Sequence, residues 1–339
     1  MRKLSSDRMP ELFERINSLC PLYLPGEKDG AVSFVRYEQG VDYAVGALNT
    51  VRSAKDFFFP QVENIAAFRM TGKKIEILEN QNGNEPFAVF GVRACDAASF
   101  SLLDKVFLSE PVDPYYRDRR EAGTVITVAC GEPDTSCFCT AFGIDPAGPE
   151  GDISVWITDG FLYWQPRTEK GENLSENLSG IFEDCDSGEI KPYQNAIRSI
   201  TEKLPLANLN LSYWENTDEK ELFASPVWDE IYKGCLGCGL CTFVCPTCQC
   251  YDVRDFDCGE TVRKFRCWDS CMYSDFTKMA HGNPRRTQKE RFRQRFMHKL
   301  KYFPRNNGGL FSCVGCGRCV RSCPQGLNIV KTARRVSDD

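Results

Sequence analysis

The chain has 339 residues, of which 42% are hydrophobic, enough to bury the cores of two domains or of three small ones. Its net charge of −5 is too small to indicate nucleic acid or an anionic membrane as the main partner. No stretch approaches ~18 consecutive apolar residues, which excludes a membrane span.

Cysteine is the most unusual feature of the composition. The chain has 19 cysteines but only 2 histidines, so metal sites built on sulfur are expected and sites built mainly on imidazole are not. The stretch from Met1 to Arg8 provides no apolar core of a signal peptide, and we therefore expect a cytoplasmic protein. Because cytosolic thiols are kept reduced, metal ligation explains the cysteines better than disulfides do. Oxygen-sensitive clusters would suit an anaerobic organism.

The chain begins with two predicted elements and a run of aromatic residues. Apolar residues from Leu12 to Leu19 predict an amphipathic helix, and a strand is predicted from Ala31 to Tyr37. The three phenylalanines from Phe57 to Phe59 cannot share one helix face. We therefore expect them in a loop or a strand, packed in the core, before Pro60 stops any helix.

A strand, a helix and a second strand follow, and they form a predicted βαβ unit. The strands are Phe87 to Val92 and Thr124 to Ala129, and the helix is Ala97 to Lys105 with Asp96 at its N-terminus as a cap. Because a crossover helix joins them, the two strands should lie parallel. Their carboxyl ends would then share one edge of the sheet, the place where open α/β sheets bind ligands.

Four cysteines, which we call the N-terminal set, are expected near that edge. Cys95 follows the first strand beside a helix N-terminus that favours a thiolate, Cys130 follows the second strand, and a turn-rich loop adds Cys137 and Cys139. They could hold an iron–sulfur cluster, or they could pack as buried thiols without a ligand, because free cysteine behaves as a small hydrophobe. Spacing alone leaves both interpretations open, since ligands scattered over ~45 residues form no local motif.

The middle of the chain contains a predicted hairpin and two predicted helices. The strands Ile153 to Thr158 and Phe161 to Gln165 flank an Asp-Gly turn, which is a strong hairpin signal. The helices are predicted from Pro192 to Leu204 and from Val227 to Lys233. The second helix leads directly into the cysteine-rich part of the chain.

The predicted elements divide the chain into two domains, with a boundary near residue 220. The N-terminal domain (1–220) is of mixed α/β class, with a partly parallel sheet and the N-terminal set. The C-terminal domain (221–339) is a predicted α-helical, ferredoxin-like domain that carries two [4Fe-4S] clusters.

The C-terminal domain contains the same cysteine run twice. The run is Cys-x2-Cys-x2-Cys-x3-Cys-Pro, and it begins at Cys235 and again at Cys313. In such pairs three closely spaced thiolates bind one iron–sulfur cube, and the fourth cysteine, next to proline, binds the neighbouring cube. The predicted ligands form a first set (Cys235, Cys238, Cys241 and Cys323) and a second set (Cys313, Cys316, Cys319 and Cys245).

Zinc is the main alternative for these runs. Paired Cys-x2-Cys elements also hold structural zinc, but a zinc site closes with four ligands in two pairs. Each run here has a third cysteine at the next x2 spacing and then a Cys-Pro. The spacing therefore favours two clusters, which would make this region part of an electron-transfer chain.

The segment between the runs contains a predicted helix and five further cysteines. The helix extends from Arg286 to Tyr302, with an apolar face and an opposite face crowded by arginine and lysine. We expect that basic face, which includes Arg295, to be solvated or to dock a partner rather than to bind nucleic acid. The cysteines are predicted to pack around the clusters, with one more four-sulfur site as the alternative. They are Cys248, Cys250, Cys258, Cys267 and Cys271.

Several motifs, spread along nearly the whole chain, together resemble one family of redox proteins. They are Phe57 to Phe59, Gly91-Val-Arg-Ala-Cys95-Asp96, Cys137-Phe-Cys139, Cys245-Pro-Thr-Cys248-Gln-Cys250, Trp268-Asp-Ser-Cys271 and the run from Cys313 to Cys319. With these motifs the sequence resembles the iron–sulfur β subunit of soluble, sulfhydrogenase-type NiFe hydrogenases and the corresponding iron–sulfur subunit of anaerobic sulfite reductases. Four other cysteines match no family position: Cys20, Cys185, Cys258 and Cys267.

The resemblance implies an electron-transfer subunit that has no catalytic residues of its own. It would relay electrons between the catalytic subunit of a cytoplasmic oxidoreductase complex, of the NiFe hydrogenase type, and an FAD- and NAD(P)-binding reductase subunit. It also implies a third iron–sulfur cluster on the N-terminal set. The alternatives are a relay in an anaerobic sulfite reductase or a heterodisulfide-reductase-type bifurcating complex, a catalytic iron–sulfur reductase with its own substrate site, and a zinc-stabilised scaffold.

Overall fold

The strands of the described residues form two sheets. The structure is a computed structural model that describes residues 1–28, 30–38, 40, 43–44, 47, 50–78 and 85–338. In chain order the strands are β1 (Arg2–Ser5), β2 (Leu22–Lys28), β3 (Ala31–Arg36), β4 (Val62–Thr71), β5 (Lys74–Leu78), β6 (Phe87–Arg93), β7 (Gly123–Val128), β8 (Ile153–Ile157), β9 (Phe161–Pro166), β10 (Glu183–Asp184), β11 (Tyr251–Asp257) and β12 (Thr261–Trp268). One sheet has eight strands in the order β10-β1-β9-β8-β7-β6-β2-β3, and the other has four in the order β11-β12-β4-β5.

The helices range in length from a single turn of 4 residues (α2) to 14 residues (α3). In chain order they are α1 (Met9–Leu19), α2 (Lys55–Phe58), α3 (Ala94–Phe107), α4 (Pro114–Ala122), α5 (Glu169–Asn177), α6 (Lys191–Glu202), α7 (Ser212–Asn216), α8 (Glu219–Ala224), α9 (Trp228–Ile231), α10 (Leu240–Phe243), α11 (Gln288–Met297), α12 (Phe303–Asn306), α13 (Arg318–Ser322) and α14 (Ile329–Ser337). A π-helical turn, His298–Tyr302, continues α11 into α12. Within the described part of the chain, no helix has both the length and the apolar character needed to span a bilayer.

The centre of the large sheet is parallel. The pairs β2–β6, β6–β7 and β7–β8 are parallel, whereas the pairs towards both edges of the sheet are antiparallel. The predicted βαβ unit is therefore confirmed, with α3 and α4 in the connection between β6 and β7. The predicted hairpin around Asp159 and Gly160 is also confirmed, as β8 and β9.

Helices cover both faces of this sheet. Successive residues of a strand point to opposite faces. Phe90 and Ile126 belong to the same apolar cluster as the core side chains of α1, whereas Val89 and Val125 pack with those of α3. Both faces are thus buried, which explains why the central strands are continuously apolar. The predicted mixed α/β fold with a partly parallel sheet is confirmed.

The smaller sheet combines strands from distant parts of the chain and was not predicted. The hairpin of β11 and β12, from the segment between the two cysteine runs, pairs with β4 in antiparallel fashion. Arg266 of β12 donates to Glu63 of β4 at 2.7 Å, and both side chains are buried. Backbone hydrogen bonds therefore join the residues before 220 to those after it, and the domain boundary at this position stays a prediction.

The phenylalanine run differs from its prediction. Phe57 and Phe58 belong to the single helical turn α2 rather than to a loop or a strand. The reason is that this turn is surrounded by protein, so each ring has a different partner. Phe57 contacts Tyr23, Phe58 contacts Phe100 and Phe59 stacks on Trp268, with ring centroids 4.7, 4.8 and 5.9 Å apart. Their expected packing in the core is confirmed for Phe58 and Phe59, which are fully buried.

Candidate metal centres

The cysteines of the first set surround one cavity. All four line this cavity, together with Arg295 of α11. Gly237 and Gly239 have φ angles of 67° and 74°, so the chain between the cysteines turns as only glycine does without strain. The side-chain amide of Gln288 and the backbone N–H of Gly237 both donate to Cys235 Sγ at 3.4 Å. Such donors stabilise a thiolate and tune a cluster bound to it.

The cysteines of the second set lie close enough for their charges to interact. Cys313 interacts with Cys319 and Cys245, and Cys316 interacts with the same two residues. Burial raises the pKa of the Cys313 thiol to about 12. Without metal this thiol is protonated at neutral pH, so iron binding must displace its proton.

The cysteines of the N-terminal set line another cavity. Cys95 lies in the first turn of α3, directly after β6, and Cys130 lies just beyond β7, its parallel neighbour. Cys137 and Cys139 reach the cavity from the loop that follows. Burial raises the pKa of Cys130 to about 11 and that of Cys139 to about 12. The topology thus brings together four thiols that the sequence spreads from 95 to 139.

The N-terminal cavity adjoins the second set through a close backbone contact. Cys316 lines this cavity as well. The Phe138 N–H donates to the carbonyl oxygen of Gly315 at 2.9 Å, so the loop that carries Cys137 and Cys139 packs directly on the second run. Gly315 has a φ of 58°, and a Cβ atom there would lie 2.4 Å from the Phe138 carbonyl carbon. Only glycine allows the two segments to approach so closely.

Replacing Gly315 with alanine should weaken this contact. The methyl group would meet backbone atoms, which cannot swing away as a flexible side chain can. We expect the free energy of unfolding to fall by about 2–5 kcal/mol, the sum of about 1–2 for the left-handed backbone and about 1–3 for overpacking. Gly308→Ala is the matched control, because Gly308 has a φ of 64° but nothing within 4 Å of the new methyl group. Denaturant unfolding compares the two variants, and equal losses would contradict the close approach.

A buried arginine lies among the thiols. Arg295 is only 4% exposed, and the opposite charges that act on it come from cysteines, chiefly Cys241 and Cys319. Its Nε has no hydrogen-bond partner among the described residues. A buried cation with an unused donor fits an anionic group, and a cube held by thiolates is anionic. The predicted solvated basic face is therefore wrong for Arg295, which sequence spacing could not distinguish from its exposed neighbours.

Two buried lysines complete this positive environment. Lys299 donates to Thr247 Oγ1 at 2.7 Å and to the Ser312 carbonyl at 3.0 Å. Lys55 donates to the carbonyl oxygens of Cys245 and Cys248 at 3.0 and 2.9 Å, with its ammonium 3.5 Å from the centre of the Trp268 ring. Burial opposes both charges. It lowers the pKa of Lys55 to about 8, whereas the charges of Cys245 and Cys248 outweigh it at Lys299 and raise that pKa.

An ion pair joins the motif at Cys95 to the second run. Arg318 lies between Cys316 and Cys319, and its guanidinium binds both carboxylate oxygens of Asp96 at 2.5 and 2.7 Å. The two side chains are 1% and 2% exposed. Asp96 is therefore not the helix cap that the sequence predicts. The helix α3 begins at Ala94, before Asp96, which leaves its carboxylate in the first turn and directed to Arg318.

Three of the remaining cysteines lie between the first and second sets. Cys248 lies close enough to lower the pKa of the Cys245 thiol, and Cys271 acts in the same way on Cys250. Hydrogen bonds from Cys271, with the charges of Lys299 and Lys55, lower the pKa of Cys250 to about 7. The other two, Cys258 and Cys267, belong to the hairpin of β11 and β12.

The thiols of the first set and of the N-terminal set each line a cavity and do not converge on the position of a single metal ion. No three His, Cys, Asp or Glu side chains of the described residues converge as the ligands of a single metal ion do. The ligands of an iron–sulfur cube bind different irons, so their sulfurs are spread around it. The cavities, the unpaired Arg295 donor and the hydrogen bonds to sulfur fit such a cube, and the individual ligand assignments stay predictions.

Comparison with known proteins identifies the family. The family model of the 4Fe-4S dicluster domain matches residues 234–327, which include the first and second sets. The sulfhydrogenase 2 subunit beta of Pyrococcus furiosus is 33% identical over 351 aligned positions, which cover 99% of this chain and 98% of that protein. No solved structure matches. The chain therefore belongs to the family of sulfhydrogenase β subunits and is an iron–sulfur electron-transfer subunit.

Proposed function

We propose that the chain relays electrons through three [4Fe-4S] clusters, held by the first set, the second set and the N-terminal set. This proposal is supported by one observation: each of the three cysteine sets lies next to another one. Cys316 of the second set lines the N-terminal cavity, and Cys319 of the second set lies within electrostatic range of Cys241 of the first. The N-terminal, second and first sets thus form a series, which is the arrangement an electron relay requires.

The charges and the packing of the residues around the thiols suit a one-electron centre at each site. When bound, each cluster supplies reversible one-electron chemistry. The chain itself contributes buried cations that favour the reduced, more negative state, and apolar packing that limits access of water. At the end of the series, Cys238 of the first set is exposed, so a partner can approach that site closely.

We propose that the relay connects two kinds of partner subunit. An FAD- and NAD(P)-binding reductase subunit would exchange electrons with one end of the series, and the catalytic subunit of a NiFe hydrogenase with the other. The relative from Pyrococcus furiosus is named as the beta subunit of a sulfhydrogenase, which supports a complex of several subunits. A sulfite reductase or a heterodisulfide-reductase-type complex would use the same relay with another catalytic subunit.

Stepwise reduction of the anaerobically purified full chain tests this function. Dithionite should reduce the clusters, with EPR signals that broaden through coupling between neighbours. NAD(P)H alone should reduce none of them, because the chain has no Gly-x-Gly-x-x-Gly turn for a dinucleotide. Addition of the flavin-binding subunit should make NAD(P)H an effective reductant. Oxidation of NAD(P)H by the isolated chain, or a chain without any reducible centre, would contradict the proposal.

Lys299→Gln should lower the potential of the cluster proposed for the second set. The variant removes a buried positive charge beside Cys245 and Cys313 but keeps an amide that can donate to Thr247. A unit charge at ~5 Å in an effective dielectric of ~20 contributes about 3 kcal/mol, so the midpoint potential should fall by roughly 130 mV. Lys301→Gln is the control, since Lys301 donates to the backbone of α7 instead. An EPR-monitored redox titration measures both, and equal shifts would count against the tuning role.

A catalytic role at the N-terminal site is a second candidate function. An open crevice of about 920 Å³ lies at the carboxyl ends of β7 and β8 and shares Arg93 with the N-terminal cavity. Its other polar residues are Glu132, Thr158, Asp159 and Tyr193. A small substrate bound there would lie beside a redox centre. Turnover of such a substrate by the isolated, reduced chain would favour this function over the relay.

A further inference from the structure

The hydroxyl of Thr247 contacts a sulfur of the second set. Its Oγ1 lies 3.2 Å from Cys245 Sγ, which is hydrogen-bonding distance. The side chain is 2% exposed, so bulk water does not compete for this contact. The buried ammonium of Lys55 donates to the carbonyl oxygens of Cys245 and Cys248, one on each side of this residue, at 3.0 and 2.9 Å. These bonds hold the turn in place and keep the hydroxyl beside the sulfur.

The same hydroxyl has a second acceptor within reach. The carbonyl oxygen of Ser312 lies 2.9 Å from Thr247 Oγ1. A hydroxyl has one proton to donate, so it can bond fully to the carbonyl or to the sulfur but not to both. The Ser312 N–H donates to the Lys299 carbonyl at 3.0 Å, which fixes the segment that leads to Cys313. The geometry therefore offers two acceptors for one proton.

Lys299 allows the hydroxyl to turn from one acceptor to the other. Its buried ammonium donates to Thr247 Oγ1 at 2.7 Å and to the Ser312 carbonyl at 3.0 Å. The first bond occupies a lone pair of the hydroxyl oxygen and leaves the hydroxyl proton free to point at either acceptor. The second bond keeps the carbonyl satisfied when the hydroxyl points at the sulfur. Rotation therefore avoids the cost of an unsatisfied buried polar group.

The charge on the sulfur decides between the two acceptors. A cysteine that binds metal has lost its proton, so its sulfur can accept a hydrogen bond but cannot donate one. An added electron makes a cube held by thiolates more negative, and a hydrogen bond strengthens as the charge of its acceptor grows. The Ser312 carbonyl has the same charge in both states. The sulfur of Cys245 therefore becomes the better acceptor on reduction.

We propose that the Thr247 hydroxyl changes its hydrogen-bond acceptor with the redox state of the second set. It donates to the Ser312 carbonyl in the oxidised state and to Cys245 Sγ in the reduced state. One electron enters the site from the relay, the hydroxyl proton stays on Oγ1, and no covalent bond forms or breaks at this residue. Because the bond to sulfur stabilises the reduced state, it raises the midpoint potential. The proposal rests on the proposed relay, in which Cys245 is a cluster ligand.

Redox titrations of the anaerobically purified full chain, monitored by EPR, test the proposal. Thr247→Val keeps the shape of the side chain without its hydroxyl. It should favour the oxidised state of one cluster roughly tenfold, a fall of about 59 mV for a one-electron couple. Thr247→Ser retains the hydroxyl and should keep the original potential. Thr242→Val, the matched control, should also keep it, because the buried Thr242 hydroxyl bonds to oxygens of Gly239 and Ser270 instead of a sulfur.

Infrared difference spectra between the reduced and the oxidised protein follow the change of acceptor itself. A carbonyl that loses a hydrogen bond absorbs at a higher frequency. With ¹³C at the serine carbonyls, the unmodified chain and Thr247→Ser should show such a shift on reduction. Thr247→Val should not show it, because its side chain bonds to Ser312 in neither state.

Iron analysis of the same samples separates the failures from one another. At full iron content, unchanged potentials in Thr247→Val, or an equal fall in Thr247→Ser, would overturn the change of acceptor but leave the relay intact. Absence of the infrared shift from the unmodified chain would overturn it as well. An unmodified chain without reducible iron would contradict the relay, and the change of acceptor with it. If Thr247→Val loses iron, Thr247→Ala also lacks the hydroxyl and should show the same fall in potential.

Discussion

Cys241→Ala should remove about four irons from each chain, the content of one [4Fe-4S] cluster. Cys241 lines the cavity of the first set together with Cys235, Cys238 and Cys323. These residues come from two runs far apart in the sequence, so a cluster here also ties two segments together. Because metal binding free energy contributes to folding, we expect lower resistance to denaturant as well. Iron analysis and denaturant unfolding measure the two effects.

The exposed thiol of Cys258 provides the control for this variant. It lies beyond the end of β11, away from the cavities, and Cys258→Ala should therefore keep all iron and all stability. If Cys241→Ala also kept its full iron content, the assignment of the first set would be wrong. If both variants lost iron equally, the loss would reflect general instability of the clusters rather than a missing ligand.

Arg318→Met should destabilise the protein by about 3–5 kcal/mol, because it leaves the buried carboxylate of Asp96 without a partner. The guanidinium binds both oxygens of that carboxylate and also donates through Nε to the Thr50 carbonyl at 2.9 Å. With this pair lost, the second run would no longer be fixed to the helix that carries Cys95. We therefore also expect weaker retention of iron by the N-terminal set. Denaturant unfolding at fixed cluster loading measures the stability change.

Two comparisons make the Arg318 result specific. The double variant Asp96→Asn with Arg318→Met removes both charges and should recover much of the loss. Arg335 pairs with Glu230 at 3.2 Å, but the two side chains are 60% and 66% exposed. Arg335→Met should therefore cost no more than about 1 kcal/mol. Equal losses for Arg318→Met and Arg335→Met would show that the buried pair has no special role.

Local spacing in the sequence was enough to predict the central parallel strands and the hairpin of the large sheet, whereas the ligand sets stay predictions. The continuous apolar strand before Cys95 and the strand before Cys130 predicted a parallel pair, and the structure contains it. The resemblance to sulfhydrogenase-type β subunits was recognised from short motifs, and the comparisons confirm the family. These features depend on neighbours in the chain, so they can be read without knowledge of the fold.

The missed features all depend on contacts between distant residues. Asp96 looked like a helix cap because its true partner, Arg318, is 222 positions away. Arg295 looked like part of a solvated face because helical periodicity does not reveal that thiols from two other segments lie against it. The hairpin of β11 and β12 was missed because β11 is largely exposed and rich in charged residues, and the hairpin is held by the pairing of β12 with β4, which is distant in the sequence. The alternation of β11 stops after four residues, at Asp255, and is too short to identify a strand.

Iron and acid-labile sulfide per chain, measured on anaerobically purified protein together with EPR after dithionite reduction, test the relay most directly. Three clusters require about twelve irons and about twelve sulfides, and Cys95→Ser should then remove or convert one EPR signal. About eight irons, with the signals unchanged in Cys95→Ser, would contradict a cluster on the N-terminal set. Zinc in place of iron would contradict the electron relay altogether.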